Sequence, residues 1–285
     1  MPRTSLLLCG IAACLATVTA CGSTVSGSAA ATGGTSGTSG SGGVGGVTTV
    51  AQLGELVSSN TATKNTAHFN LQMSGLLDTT GSGVVKFGNP LEMDERTTMQ
   101  GFGDIETVLK DNTAYVKVPE ALASIMKVTT PWVRIDPNGT SQMDQTMSQS
   151  LKLAQQNANP ATMIDNIKSA GAITSTKTEQ LDGQPTTHYT ITVDLKKWLA
   201  SMDASDTMST EVNAALKAGL TTEPLDIWVN SDNLPVKFTE TMKIDNPAQQ
   251  GQTITISTVG TYTDWGQPVT ITAPPADQVG TLPGN

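Results

Sequence analysis

Beyond residue 48 the chain is ruled by period-two alternation. Phe69, Leu71, Met73 and Leu77 fall on one side of an extended segment, and His68, Asn70, Gln72 and Ser74 fall on the other. Successive side chains of a strand point to opposite faces, so the pattern predicts an antiparallel strand with one face buried and one in water. Similar segments follow at 83–87, 92–101, 105–109 and 113–118, and Asp111-Asn112 reads as a hairpin turn between the last two. The pattern returns at 173–180 and 186–195 around a turn at Asp182-Gly183-Gln184-Pro185. There Tyr189, Ile191, Val193 and Leu195 alternate with His188, Thr190, Thr192 and Asp194. Strands at 225–229, 236–244 and 253–262 complete the series, with Asp232-Asn233 at a turn and a short strand expected at 269–272 before Pro274-Pro275.

Helical periods interrupt the strands. Met143, Met147, Leu151 and Ala154 form one apolar stripe, Asn159-Pro160 closes that helix, and Met163, Ile164 and Ile167 mark a short second one ending at Gly171. Leu195, Trp198, Leu199 and Met202 begin another, and Met208, Val212, Ala215 and Leu216 a fourth that stops at Gly219. Strands, helices, strands, helices, strands is the order of an antiparallel α+β domain. Its Thr, Gln and Lys positions face solvent, and each one-sided helix must lie on the other face of the sheet.

The N-terminus bears on the compartment. Arg3 precedes a nearly uncharged run at 6–18, too short to span a bilayer comfortably, which reads as a signal-peptide core. It ends in Val18-Thr19-Ala20-Cys21, the form of a lipobox, so Cys21 is the expected lipidation site. Two acyl chains meet the requirement that stable anchoring needs more than one. Residues 1–20 are then a lipoprotein signal peptide, 21–48 the lipidated Cys with a flexible Gly/Ser/Thr tether, and 49–280 the folded domain. The expected location is the extracytoplasmic face of the cell membrane, held there by the lipid. Cys9 and Cys14 leave with the signal, which removes disulfides, thiol catalysis and zinc-finger ligation together. The net charge of -9 lacks the basic footprint that nucleic acid needs, so no DNA or RNA partner is expected.

Enzyme readings find little. His68 and His188 each lie on the polar side of a strand, where a solvated imidazole is expected. Asp94-Glu95 and the pair Asp104 and Glu106 read as solvated carboxylates at strand ends, and four scattered Trp do not make a sugar groove. No nucleophile elbow, metal helix, phosphate loop or calcium loop is present, so no catalytic residue, metal or cofactor is expected. Residues 40–45 match dinucleotide-fingerprint spacing but have no strand before them and no helix after.

The lipobox at Cys21 is joined by the strand pair 179–189 with its Asp182-Gly183 turn, the segment 227–235 with Trp228 and Asp232-Asn233, and the closing 262–269 with Asp264-Trp265-Gly266, followed by Ala273-Pro274-Pro275. With these, residues 52–278 resemble the actinobacterial envelope lipoproteins of the LppX and LprG type, which share a fold with the carrier LolA. The resemblance implies a curved antiparallel β-sheet, a half-barrel, with helices packed on its concave face. In several members a cavity between the two accepts acyl chains of envelope lipids or glycolipids. Carried onto this chain, the cavity candidates are Phe69, Leu71, Met73, Met143, Met147, Leu151, Met163, Ile167, Tyr189 and Ile191. The methionines alone support either reading: Met fills ordinary cores and also adapts to variable apolar ligands. Three functions stay open: a lipoprotein that binds and carries an acylated lipid or glycolipid, a non-catalytic sensory or interaction lipoprotein with a closed core and an envelope protein as partner, and, disfavoured by the lack of motifs, a cell-wall hydrolase or transferase.

Overall fold

Tight turns set the register of the sheet. Asp111 and Asn112, with φ of 51° and 60°, join β4 (Gly103–Lys110) to β5 (Thr113–Lys117). Asp182 and Gly183, with φ of 51° and 77°, join β7 (Gly171–Leu181) to β8 (Gln184–Asp194). Two consecutive left-handed residues match the twist of the strands they connect, as the Asx-rich turn chemistry predicts. A computed structural model describes residues 46–75, 78–101, 103–136, 145, 148, 159–201, 207–217, 219–245 and 253–282.

The remaining strands are β1 (Thr66–Ser74), β2 (Thr79–Lys86), β3 (Glu92–Met99), β6 (Trp132–Ile135), β9 (Thr222–Asn230), β10 (Pro235–Asp245), β11 (Thr253–Thr263) and β12 (Val279–Thr281). All twelve form one curved, unclosed sheet in the order β12-β6-β5-β4-β3-β2-β1-β11-β10-β9-β8-β7. Two meanders, β1 to β6 and β7 to β11, are joined where β1 pairs β11, with Phe69 opposite Tyr262. Every pairing is antiparallel except β12 with β6.

The described helices are α1 (Val50–Lys64), α2 (Glu120–Met126), α3 (Pro160–Asn166), α4 (Leu195–Ser201) and α5 (Thr207–Lys217). Four of them begin or end on recognisable signals. Thr49 and Gln52 form a capping box on α1. Asn159 caps α3 ahead of Pro160, Asp194 Oδ1 accepts from the Lys196 and Lys197 amides at the start of α4, and Gly219 with φ +90° follows α5.

One side of the sheet carries nearly all of the core. Val50, Leu53 and Val57 of α1 and Ile164 and Ile167 of the α3 region pack with Tyr189, Ile191, Ile227 and Phe238, together with Trp198 and Val212 from α4 and α5. A second lobe gathers Met93, Met99, Ile105, Leu109, Val116 and Val133, with Met126 of α2 against it. Phe69 and Leu91 pack against both lobes.

Three local expectations differ from the structure. Residues 269–272 form no strand; they are extended chain whose Ile271 packs on Val108 and Trp132 of the convex face. The convex face is therefore not wholly solvent-facing: the segment after β11 crosses it, reaches β6 as β12, and places Leu282 in the second lobe. The helices α1 and α2 and the strands β6 and β12 are additional to the expected elements. The stripe Met143, Met147, Leu151 and Ala154 lies outside the described residues.

Candidate binding face and its buried acids

Three rows of inward side chains cross the middle of the concave face. In the first, Ile227, Phe238, Gly260, Leu71, Gly81, Thr97 and Ile105 stand opposite one another from β9 to β4. The second runs Leu225, Glu240, Thr258, Met73, Thr79, Met99, and the third Tyr262, Phe69, Gly83, Glu95, Thr107, Val116. At the flanks these inward groups are buried. On the central strand Phe69, Leu71 and Met73 are only half-buried, and so are Met242 and Ile256 beyond Glu240 and Thr258. The two lobes thus leave an apolar stripe between them that the described residues do not fully cover. Gly260 is part of its floor, because the Phe238 ring lies flat across it and a side chain there would overlap the ring.

The face also holds three carboxyls. Glu95 sits over Gly81, with its Oε1 2.9 Å from where a side chain on that glycine would begin. Burial pushes it up to about 7 against the counter-effect of a hydrogen bond with Thr97. Glu240 is pushed up to about 7 by burial, and Glu223 to about 7 by burial and by the neighbouring Glu240 carboxylate. At neutral pH all three are substantially protonated, because removal from water disfavours the ionised form. Glu223 and Glu240 line a small cavity with Met163 and Ile167 from the α3 region, Val193 of β8, Trp198 of α4, and Pro224 and Leu225 of β9. Its volume of about 10 Å³ has room for one water-sized group. The indole N–H of Trp198 is buried without a hydrogen-bond partner.

The expectation that Asp94-Glu95 is a solvated acidic pair is overturned for Glu95. It shares the inward parity of Met93, Thr97 and Met99, a signal present in the sequence, and the acid was read by its type and not by its register. Residue type alone does not mark Glu223 and Glu240, although each falls in phase with inward neighbours, Leu225 and Ile227 in one strand and Phe238 in the other.

His188 also differs from expectation. It lies on the convex face, but its side chain is only 16% exposed. Its ring stacks on Trp228 at 4.0 Å, Nε2 is 2.8 Å from Asp226 Oδ1, and Nδ1 is 3.2 Å from Glu179 Oε1. The Trp228 N–H donates to Glu179, and Lys237 Nζ lies 4.8 Å from the centre of the Trp228 ring on a neighbouring strand. The sandwich fills the convex surface of β7 to β10 in place of a helix. Its stacking and hydrogen bonds join strands β7, β8 and β9 on the convex face. His68 is exposed and 3.6 Å from Asp264. Among the described residues no group of three or more His, Cys, Asp or Glu is arranged to hold a metal ion.

The cavity candidates divide as follows. Phe69, Leu71 and Met73 form the half-buried stripe; Met163 and Ile167 line the small cavity; Tyr189 and Ile191 are fully buried in the first lobe. Cys21, Met143, Met147 and Leu151 lie outside the described residues. No described helix is long and apolar enough to cross a membrane.

No family model matches the chain. It is 30% identical over 112 residues to an uncharacterized 31.2 kDa protein of Streptomyces griseus, a match covering 38% of this chain and 36% of that protein, so it spans about a third of the relative. Among solved structures it is similar to the lipoprotein LppX of Mycobacterium tuberculosis, with a TM-score of 0.44 at 14% identity over 78% of this chain and 98% of that one. It is also similar to LprF of Mycobacterium bovis, with a TM-score of 0.41 at 14% identity over 80% of this chain and 99% of that one. The first of these is of the type that the sequence resembles.

Proposed function

We propose that the chain is a lipid-anchored envelope lipoprotein that binds an acylated lipid or glycolipid on the concave face, between the sheet and its helices, and carries it. The observation that supports this most is the half-buried stripe of Phe69, Leu71, Met73, Met242 and Ile256 between two packed lobes. A sheet that only needed a core would bury its central strand best, and an apolar stripe left partly uncovered there is a docking surface for apolar matter. Each methylene withdrawn from water contributes about 0.8 kcal/mol, so half of a sixteen-carbon chain on the stripe gives firm binding without any catalytic group. The lipobox at Cys21 and the uncharged tether at 22–46 would hold the domain near the membrane from which such a lipid comes.

The test is native mass spectrometry of residues 46–285 secreted from an actinobacterial host, followed by organic extraction. A mass excess that extracts as an acylated species supports the reading and identifies the cargo. A clean protein mass with an intact fold overturns it and favours an interaction lipoprotein whose partner is an envelope protein. Mass analysis of the N-terminus of the full chain from the same host tests lipidation at Cys21 separately.

A further inference from the structure

The concave face is too polar to be a plain acyl-chain trough. A hydrocarbon lying across it leaves Glu223, Glu240 and the Trp198 N–H with nothing to bond, and unpaired polar groups in a dry site are costly. All three side chains are more than nine-tenths buried, Glu223 by its 6% exposure, Glu240 by its 9% and Trp198 by its 2%. The Trp198 N–H is enclosed without a hydrogen-bond partner, and the Glu223 and Glu240 side chains are buried beside it on the same cavity wall. All three line one cavity, whose remaining walls are apolar except for backbone.

The chemistry of the three groups selects what they accept. An indole N–H only donates, and a protonated carboxyl donates one hydrogen bond while keeping an acceptor oxygen. An uncharged oxygen satisfies such a set: it accepts from Trp198 and from a carboxyl, and if it is a hydroxyl it donates to the second carboxyl. A phosphate or another anion would meet two acids that ionise around neutral pH, and an ammonium would meet an indole donor. We propose that the Glu223, Glu240 and Trp198 cavity is a polar subsite for a neutral oxygen, a hydroxyl or ester oxygen, of an acyl lipid lying along the Phe69, Leu71 and Met73 stripe. This rests on the lipid-binding reading and adds to it the place on the sheet where a neutral oxygen of the lipid is received.

The position of the subsite fits that use. Glu240 is in the same transverse row as Met73, two strands away with only Thr258 of β11 between them. Thr258 is itself buried and extends the polar path. Met163 and Ile167 form the roof from the short α3 region, and Trp198 closes the side from α4.

The experiment compares two probes on the full chain and on variants, 1-monopalmitoylglycerol and hexadecane, by displacement of a fluorescent apolar dye at pH 6 and pH 8. The wild type is expected to bind the monoacylglycerol at least about tenfold more tightly than the alkane, the loss that an unmet buried donor or acceptor produces. Trp198→Phe and Glu240→Leu should each remove most of that preference, read as the ratio of the two affinities in the same variant, and Glu240→Gln, which keeps an uncharged donor and acceptor, should retain it. The preference should also shrink at pH 8, where the acids ionise and lose their donor. Circular dichroism of each variant checks the fold, and Trp198→Phe keeps a ring in place should Glu240→Leu disturb the core. Equal binding of both probes by the wild type overturns the subsite, as does a preference that survives both removals; the cavity then holds a buried water only, and the lipid reading stands. Failure of the wild type to bind either probe overturns the lipid reading and the subsite with it.

Discussion

At the scale of single residues, the least expected feature is three glutamates inside a sheet. Each is raised to about 7 from an ordinary 4.5, chiefly by burial. Between those two values the folded chain keeps protons that the unfolded chain has released, so stability falls as pH rises through that window. It falls by up to about 1.4 kcal/mol per pH unit for each acid, and the slope disappears above 7, where both states are ionised. Glu92, lowered by its hydrogen bond with Lys110, and Asp104, lowered by Thr98 and Arg96, act in the opposite sense and only at more acid pH. Urea unfolding between pH 5 and pH 8 should therefore show a protein most stable toward the acid end. Glu240→Gln should flatten the decline by about a third, and an unchanged slope would mean that the carboxyl is hydrated. A second residue-scale prediction concerns Gly260. A methyl group there must displace the Phe238 ring, and overpacking of this kind costs about 1 to 3 kcal/mol. Combining Gly260→Ala with Phe238→Leu should cost less than the sum of the two single changes, and a double-mutant cycle by urea denaturation measures the coupling.

At the scale of elements, α1 depends on its first turn. Thr49 accepts from the Gln52 amide at 3.2 Å and Gln52 Oε1 accepts from the Thr49 amide at 3.2 Å. Thr49→Ala should cost about 1 kcal/mol by thermal or urea unfolding, and no loss would show that packing of Val50, Leu53 and Val57 alone holds the helix. This helix shows where sequence reasoning runs short. Its apolar period of Val50, Leu53 and Val57 is thin and set among Ser, Thr and Asn, while the capping box that marks its start is readable. Hairpins were legible because Asp111-Asn112 and Asp182-Gly183 are the residues that tolerate left-handed backbone. The segment at 269–272 alternates like a strand and is none, because its apolar residues are spent on the convex face under no neighbouring strand. The candidate site was legible in its apolar half, Phe69, Leu71 and Met73, since alternation alone gives the inward parity. Its polar half was hidden, because a carboxylate is expected in water and only register reveals that Glu95, Glu223 and Glu240 are not.

At the scale of the whole molecule, the arrangement is a twelve-stranded sheet whose two halves each carry their own core on the concave side and meet along β1 and β11. Helices α1, α3, α4 and α5 serve the first half, while the segment after β11 ties the halves together, with Trp265 stacked at 5.4 Å on Phe87 beside the first lobe and Ile271 on Trp132 of the convex face. Binding on the shared seam then need not disturb either core. Leu71 is the informative position, because it is half-buried, lies in the middle of the stripe, and faces Gly260 and Gly81 on its two sides. Leu71→Trp enlarges a half-buried side chain on the seam, so the cost in stability should stay within the about 1 to 3 kcal/mol of a small-to-large change. If acyl chains lie along β1, the same change should abolish lipid co-purification in native mass spectra. Tyr189→Leu, a fully buried change in the first lobe, should instead lower stability and leave the lipid in place. A Leu71→Trp protein that retains the wild-type lipid would move the binding face away from the seam, whereas loss with Leu71→Trp and retention with Tyr189→Leu separates a ligand surface from a core on one and the same sheet.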